Sequence, residues 1–212
     1  MQTSYARQSK KKFRPYLMHH KIREYARLYE EGAVFTAFDT ETTGLYCERD
    51  RIIEIGAVKF DKTGILGTYE ILIYPEISVP ASAYKVHGIS DLMLSGCPVF
   101  AAAAPAFLDF IEGTRLIAHN APFDTGFVNS ELQRAGRPAL ASPSVPAADT
   151  VTLAQKAFPK LKKYNLQFLA GHFGIPSGTA HRAQDDAGVC REVFLYCIGK
   201  HEKQKAQPDL PF

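Results

Sequence analysis

Two acidic residues end the first apolar segment of the chain. Asp39 and Glu41 follow the apolar run at residues 34–38, which we predict to be a β-strand. Residues i and i+2 of a strand project from the same face, so these carboxylates would crowd negative charge beside an apolar core. A divalent cation can offset the resulting repulsion and lost hydration. The alternative interpretation of this pair alone is two acidic loop residues at the end of an edge strand.

Two further acidic residues stand at predicted helix starts. Asp124 follows a predicted strand within AHNAPFD, and Asp186 opens the last helix, five residues after His181 in GTAHRAQDD. Alone, Asp124 would simply complement the positive end of a helix, and an isolated histidine is more often a surface residue. However, three separate segments each bring acid to a strand end or helix start, which is where open α/β sheets bind ligands.

Four carboxylates without grouped cysteine or histidine ligands are hard oxygen donors, which favour Mg²⁺ or Mn²⁺ over zinc. Two such ions about 4 Å apart can activate water and stabilise a leaving alkoxide in a displacement at phosphorus. Imidazole is the side chain best suited to accept a proton near neutral pH, which gives His181 a role as general base. The residue types therefore predict metal-dependent phosphodiester hydrolysis.

The elements that must position these residues follow from hydrophobic periodicity. Three predicted strands are followed by alternating strands and helices, which indicates an α/β fold with a mixed five-stranded sheet and helices on both faces. A further helix precedes the first strand. The predicted strands are residues 34–38, 51–60, 68–74, 115–118 and 145–148, and the predicted helices are 17–31, 98–112, 123–135, 150–157, 165–173 and 183–199.

Length and composition predict one core with short appendages. The 212 residues are 46% hydrophobic, and we divide them into a basic arm and helix at 1–32, a main domain at 33–199 and a flexible tail at 200–212. The net charge of +3 does not by itself indicate a nucleic-acid partner, but the N-terminal basic cluster could bind a polyanion or remain solvated. The absence of an apolar run of about 18 residues and of a leader pattern predicts a cytoplasmic protein.

Three segments of the chain resemble the motifs of the DEDDh (DnaQ-like) 3′-to-5′ exonucleases. FDTETTGL is similar to the first motif, AHNAPFD to the second and HRAQDDA to the third. RIIEIGAV, HGIS and the DT at residues 149–150 also match, and the resemblance covers roughly residues 33–198. The pattern is most similar to that of the proofreading epsilon subunits of bacterial DNA polymerase III. It implies a ribonuclease H-like fold and removal of nucleotides from single-stranded or frayed DNA 3′ ends.

The resemblance also implies a role for each motif residue. Asp39, Glu41 and Asp186 would bind the water-activating Mg²⁺ or Mn²⁺, Asp39 would bridge to a second ion held by Asp124, and His181 would be the general base. Because the spacing from the histidine is fixed, Asp186 rather than the adjacent acid is the expected ligand. The expected contacts of the 3′-terminal nucleotide are Thr42, Thr43, Leu45, His119, Asn120 and Phe123.

The last six residues, QPDLPF, resemble the short peptides with which bacterial polymerases and proofreading subunits engage the sliding clamp. Gln207 would anchor the peptide, and Leu210 and Phe212 would fill an apolar pocket. This resemblance implies the sliding clamp and a DNA polymerase as partners. The alternative is an unstructured terminus with two incidental apolar residues.

Two other functions compete with the DNA exonuclease. A ribonuclease T-like or oligoribonuclease-like enzyme would trim RNA 3′ ends with the same chemistry. A non-catalytic adaptor would use the fold only to join clamp and polymerase. The presence of all five catalytic-type residues argues against the adaptor, and rates on matched DNA and RNA oligonucleotides distinguish the two enzymes.

Overall fold

The computed structural model describes residues 15–140, 147–178 and 181–205. Within these ranges the chain forms five strands and eight helices. The strands are β1 Phe35–Thr42, β2 Ile52–Asp61, β3 Gly64–Leu72, β4 Arg115–Ala118 and β5 Ala148–Asp149. The helices are α1 Pro15–Glu30, α2 Ala81–His87, α3 Asp91–Leu94, α4 Phe100–Ile111, α5 Ala121–Arg134, α6 Thr150–Ala157, α7 Leu166–Phe173 and α8 Ala183–Lys205.

The strands form one mixed sheet in the order β3-β2-β1-β4-β5. Strands β1, β2 and β3 pair antiparallel, whereas β4 is parallel to β1 and β5 is parallel to β4. Strand β1 is therefore central, with the antiparallel hairpin on one side and the parallel strands on the other. The predicted mixed five-stranded α/β fold is confirmed.

Side chains alternate along β1 between two cores, one on each face of the sheet. Phe35 and Ala37 belong to the core under α8, together with Phe194, whereas Phe38 belongs to the core under α4 and α5, together with Phe107. All five of these side chains are buried. Burying a large apolar side chain contributes about 1.5–3 kcal/mol, so both helical layers are firmly attached to the sheet.

Helix α1 packs on the face that α8 covers, as the predicted appendage helix. Its Ile22 and Ala26 are buried, and the Tyr25 ring meets the edge of Phe194 at a centroid distance of 5.9 Å. Cys190 and Cys197 of α8 are buried in this core. Among the described residues, no helix combines the length and apolar content that crossing a bilayer requires.

Several predicted boundaries differ from the structure. Strand β3 is Gly64–Leu72 rather than 68–74, because the Asp61 side chain accepts from the Thr63 amide and Gly64 adopts a φ of 134°, which makes a tight hairpin. The fifth strand, predicted at 145–148, is Ala148–Asp149 in the structure, so it ends one residue later and does not include residue 147. Residues 145–146 lie outside the described part. Helices α2 and α3 were not predicted.

Candidate active site

The alternation of β1 determines where its acidic residues point. Asp39 and Glu41 share the α8 face with Phe35 and Ala37, and Glu41 is only 9% exposed. Thr40, between them, faces the α5 side. One strand therefore presents two carboxylates to one helical layer and a hydroxyl to the other.

Helix α5 brings Asp124 to the end of β1. Asn120, with a φ of 68°, reverses the chain direction after β4, and Asp124 follows in the first turn of the helix. Its Oδ1 accepts from the Thr40 amide at 3.0 Å and from the Thr40 hydroxyl at 2.8 Å. These hydrogen bonds fix a buried carboxylate beside the Asp39–Glu41 pair.

Helix α8 brings Asp186 and His181 to the same place. Gly56 on β2 pairs with Asp39, and a Cβ at this position would overlap the backbone of Ala183 and Gln184. The missing side chain lets the first turn of α8 contact the sheet directly. The Asp186 carboxylate then accepts from Gln167 Nε2 at 3.0 Å and from the His181 amide at 3.1 Å.

The sequence prediction that separate motifs meet is therefore supported by the geometry. Potential ligand atoms of Glu41, His181 and Asp186 all lie within 4.8 Å of one another. Asp39 and Asp124 adjoin this group, since the negative charges of all four carboxylates interact. His181 is exposed, so solvent reaches its imidazole.

Burial and mutual repulsion raise the pKa values of the carboxyl groups. Loss of hydration, followed by the charge of Asp186 and of other acids, raises the pKa of Glu41 to about 8, against a smaller opposing effect of Arg182. Burial raises the pKa of Asp124 to about 7, although its hydrogen bonds from Thr40 act in the opposite direction. Burial and then neighbouring acids raise the pKa of Asp39 well above the ordinary carboxyl range.

The raised pKa values show that the cluster favours neutralisation. Burial also raises the pKa of Asp186, despite the hydrogen bond from the His181 amide. Protons or a divalent cation can supply the missing positive charge. Carboxylate oxygens with one imidazole match the ligand preference of hard divalent ions, so the side chains fit such an ion.

The expected nucleotide contacts on the loop after β1 have distinct environments. The Thr42 hydroxyl donates to the Gly44 carbonyl at 2.6 Å, and the Thr43 hydroxyl accepts from the Arg51 amide at 2.9 Å. Both threonines are buried and shape the loop. Leu45, in contrast, is 75% exposed and is available to a ligand.

The expected contacts from the second motif also differ among themselves. Asn120 is exposed, and Phe123 is half-buried against Phe127 at a ring-centroid distance of 4.8 Å. The His119 ring lies inward, with Nδ1 2.8 Å from the Thr150 hydroxyl. Contact with the nucleotide stays a prediction for these residues, and the position of His119 favours a packing role.

Sequence reasoning missed several residues that hold the site together. The fully buried Glu54 binds Arg182, and Gln167 binds Asp186. Asp149 accepts from the Asn120 amide at 3.0 Å and also caps α6. Asp149 lies in the DT segment that matched the family, although no role was assigned to it. Glu54 also left a signal, because a charged residue within the apolar strand sequence IIEIGAV needs a buried partner. The predicted clamp residues Gln207, Leu210 and Phe212, like the basic residues up to position 14, lie outside the described residues.

Comparison with known proteins agrees with the site and the fold. The family model described as Exonuclease (RNase_T) matches residues 36–194. The chain belongs to this family, and it is an enzyme of the DEDDh 3′-to-5′ exonuclease type. This membership argues against the alternative of a non-catalytic adaptor.

Relatives and solved structures give a finer comparison. The DNA polymerase III subunit epsilon of Treponema pallidum is 48% identical over 176 residues, which cover 82% of this chain and 80% of the relative. A PolC-type DNA polymerase III of Clostridium perfringens is 35% identical over 80% of this chain but only 12% of its own length. The predicted resemblance to the epsilon subunits is confirmed.

The structural neighbours confirm the fold. A zinc-bound complex of Escherichia coli exonuclease I with single-stranded DNA superposes with a TM-score of 0.69 at 19% identity, over 82% of this chain and 41% of the other. The nuclease domain of 3′hExo, described as a DEDDh family member bound to rAMP, gives a TM-score of 0.64 at 17% identity, over 82% and 93%.

Proposed function

We propose that this protein removes nucleotides one at a time from the 3′ ends of single-stranded or frayed DNA, as a proofreading or repair exonuclease. The convergence of Asp39, Glu41, Asp124, Asp186 and His181 at one end of β1 carries the proposal. The 48% identity to a DNA polymerase III epsilon subunit supports the replicative context.

The carboxylates would hold two divalent ions, Mg²⁺ or Mn²⁺. Asp39, Glu41 and Asp186 would bind one ion, and Asp39 and Asp124 the other. Divalent cations supply water activation and neutralisation of the charge that develops on the phosphate. His181 would accept the proton of the attacking water, since its imidazole is exposed beside Glu41 and Asp186.

Selectivity for unpaired ends needs no reading of the bases. A paired terminal nucleotide must unstack before it can enter a narrow site, and a mismatched end requires less free energy to do so. The exposed Leu45 and the half-buried Phe123 are suited to hold the released base. A mismatched terminus should therefore be removed faster than a matched one.

The test measures 3′-end shortening of 5′-labelled single-stranded DNA with Mg²⁺ or Mn²⁺. Asp39→Ala and Asp186→Ala should abolish hydrolysis while circular dichroism shows an intact fold, and His181→Ala should lower kcat by about 10²–10⁴-fold. Asp185→Ala is the matched control, since this adjacent acid is exposed. Wild-type rates in either purified aspartate variant would show that the residue has no catalytic role.

The competing substrate is RNA. Exonuclease chemistry is common to both polymers, and the bound nucleotide of the 3′hExo nuclease domain is rAMP. Matched DNA and RNA oligonucleotides in the same assay should give a higher kcat/KM for DNA. Preference for RNA would replace proofreading with RNA 3′-end trimming.

We further propose a three-part organisation, with a basic segment at residues 1–32, the exonuclease domain at 33–199 and a tail at 200–212. The tail would engage the sliding clamp through Gln207, Leu210 and Phe212, and the name of the Treponema pallidum relative suggests a polymerase partner. A pull-down with clamp and polymerase, comparing the full chain with one lacking residues 207–212, tests both associations. Loss of polymerase binding alone would contradict the assigned role of the tail.

A further inference from the structure

A fifth carboxylate lies against the site without belonging to the four motif acids. Glu54 on β2 is fully buried and pairs in register with Glu41 on β1. Like charges directly opposite each other in a sheet are destabilising, and an unpaired buried carboxylate is more costly still. This arrangement therefore requires a cation that compensates Glu54.

Arg182 is that cation. Its Nη2 donates to Glu54 Oε1 at 2.6 Å, and its Nε lies 3.1 Å from the same oxygen. The other carboxylate oxygen, Oε2, accepts from the Ala183 amide at 3.0 Å. Glu54 thus binds both the side chain and the backbone of the segment that begins α8.

The segment that Glu54 holds includes His181 and leads directly to Asp186. Residues 181–183 connect the predicted base to the first turn of α8, and the Asp186 carboxylate accepts from the His181 amide. His181 has a φ of 63°, a conformation that non-glycine residues adopt only when surrounding contacts impose it. The four hydrogen bonds from residues 182 and 183 to Glu54 are such contacts.

We propose that Glu54 and Arg182 act as a positioning pair that fixes His181 and Asp186 against Glu41. The pair is neutral, so it anchors α8 without adding net charge to a site already crowded with carboxylates. Neither residue touches the reacting atoms in this role. The inference deepens the proposed nuclease function and rests on it.

The test uses four variants of the full chain: Glu54→Gln, Arg182→Met, the double variant and Glu70→Gln. The last is the matched control, because exposed Glu70 also accepts from Arg182 Nη2, at 3.1 Å, but does not bind the α8 backbone. Calorimetry with Mn²⁺ in the absence of DNA measures ion binding. Single-stranded DNA hydrolysis gives kcat and KM, and thermal unfolding monitors the fold.

Groups that orient metal ligands typically change affinity or activity by about 10–100-fold when they are removed. We therefore expect Glu54→Gln and Arg182→Met to weaken Mn²⁺ binding and lower kcat within that range, with KM changed less than about twofold. The double variant should be no worse than either single variant, since both remove one interaction. Glu70→Gln should match wild type within about twofold.

A lower melting temperature with unchanged Mn²⁺ affinity and kcat would show that the pair only stabilises the fold, and would overturn the proposal. Should Glu54→Gln fail to fold, Arg182→Lys provides the same test, because it keeps the charge but loses the two-pronged geometry. If wild-type protein neither binds Mn²⁺ nor degrades DNA, the proposed function itself fails. Variants indistinguishable from an active wild type overturn only the positioning role.

Discussion

Removing the charge of Glu41 should stabilise the metal-free protein at alkaline pH. In the folded chain the pKa of this carboxyl is raised from 4.5 to about 8, first by burial and then by neighbouring acids. The pKa of Glu41 is higher in the folded than in the unfolded chain, so its titration contributes to stability. This contribution to the free energy of unfolding is complete below pH 4.5 and is lost as the pH rises through about 8. Glu41→Gln removes the titration altogether.

The magnitude follows from the pKa shift. Each pKa unit corresponds to about 1.4 kcal/mol. The shifted titration of Glu41 therefore costs the folded state about 4 kcal/mol at pH 8, but only about 1 kcal/mol at pH 5, where the buried carboxyl is protonated. Part of this cost disappears when a neighbouring carboxyl takes up a proton instead. We expect Glu41→Gln to gain about 2–4 kcal/mol at pH 8, which is roughly 4–16 °C in Tm for a chain of this size.

The assay is urea and thermal unfolding by circular dichroism, in EDTA, at pH 5 and pH 8. Glu112→Gln serves as the control, because Glu112 is exposed at the end of α4 and the substitution removes the same charge. Adding Mn²⁺ should raise the Tm of wild type more than that of Glu41→Gln. Equal stability of Glu41→Gln and wild type at pH 8, or an equal gain at pH 5, would refute the argument from crowded carboxylates.

Two further predictions test how the site is positioned and how it meets DNA. Gly56→Ala should displace α8 and lower kcat, because the new Cβ would meet backbone that cannot move aside. Urea unfolding should show a loss of about 3 kcal/mol or more. Gly67→Ala is the control and should leave kcat unchanged, since its Cβ would meet only Phe110 at 3.7 Å. Replacing the exposed Lys160, Lys162 and Lys163 by Ala should raise KM for single-stranded DNA. The slope of log KM against log salt concentration should fall by up to about 2, because fewer phosphate charges are neutralised. Lys62→Ala should change neither KM nor this slope. An unchanged KM in the triple variant would exclude the loop between α6 and α7 from the DNA path.

The sequence predicted the motif residues more completely than the residues that support them. Asp39 and Glu41 could be placed because strand alternation is a local property, and Asp186 because its spacing from His181 identifies it. The Thr40–Asp124 hydrogen bond, however, joins positions 84 apart, and Gln167 reaches Asp186 from another helix. Neither contact leaves a periodic or compositional signal.

The fold was predictable where elements have a strong hydrophobic period. The longer helices and the strands β1 and β2 bury many apolar residues. Strand β3, in contrast, has no fully buried residue, and α2 is largely exposed and buries only His87. Helix α2 has seven residues and α3 has four, which are too few for a helical pattern of apolar residues to be recognised in the sequence. Strand β5 has only two residues, so its limits depend on pairing with β4 rather than on its own sequence.

Because neighbouring side chains of β1 point to opposite faces of the sheet, the face on which each residue lies is as important as its type. Inserting a single residue before Asp39 would turn both carboxylates towards α5 and leave the threonine beside α8. Changing the length of β1 before Asp39 therefore keeps the two carboxylates beside α8 only when residues are added or removed in steps of two. The separation of two residues between Asp39 and Glu41 follows from the same alternation, since an odd separation would put the two carboxylates on opposite faces of the sheet.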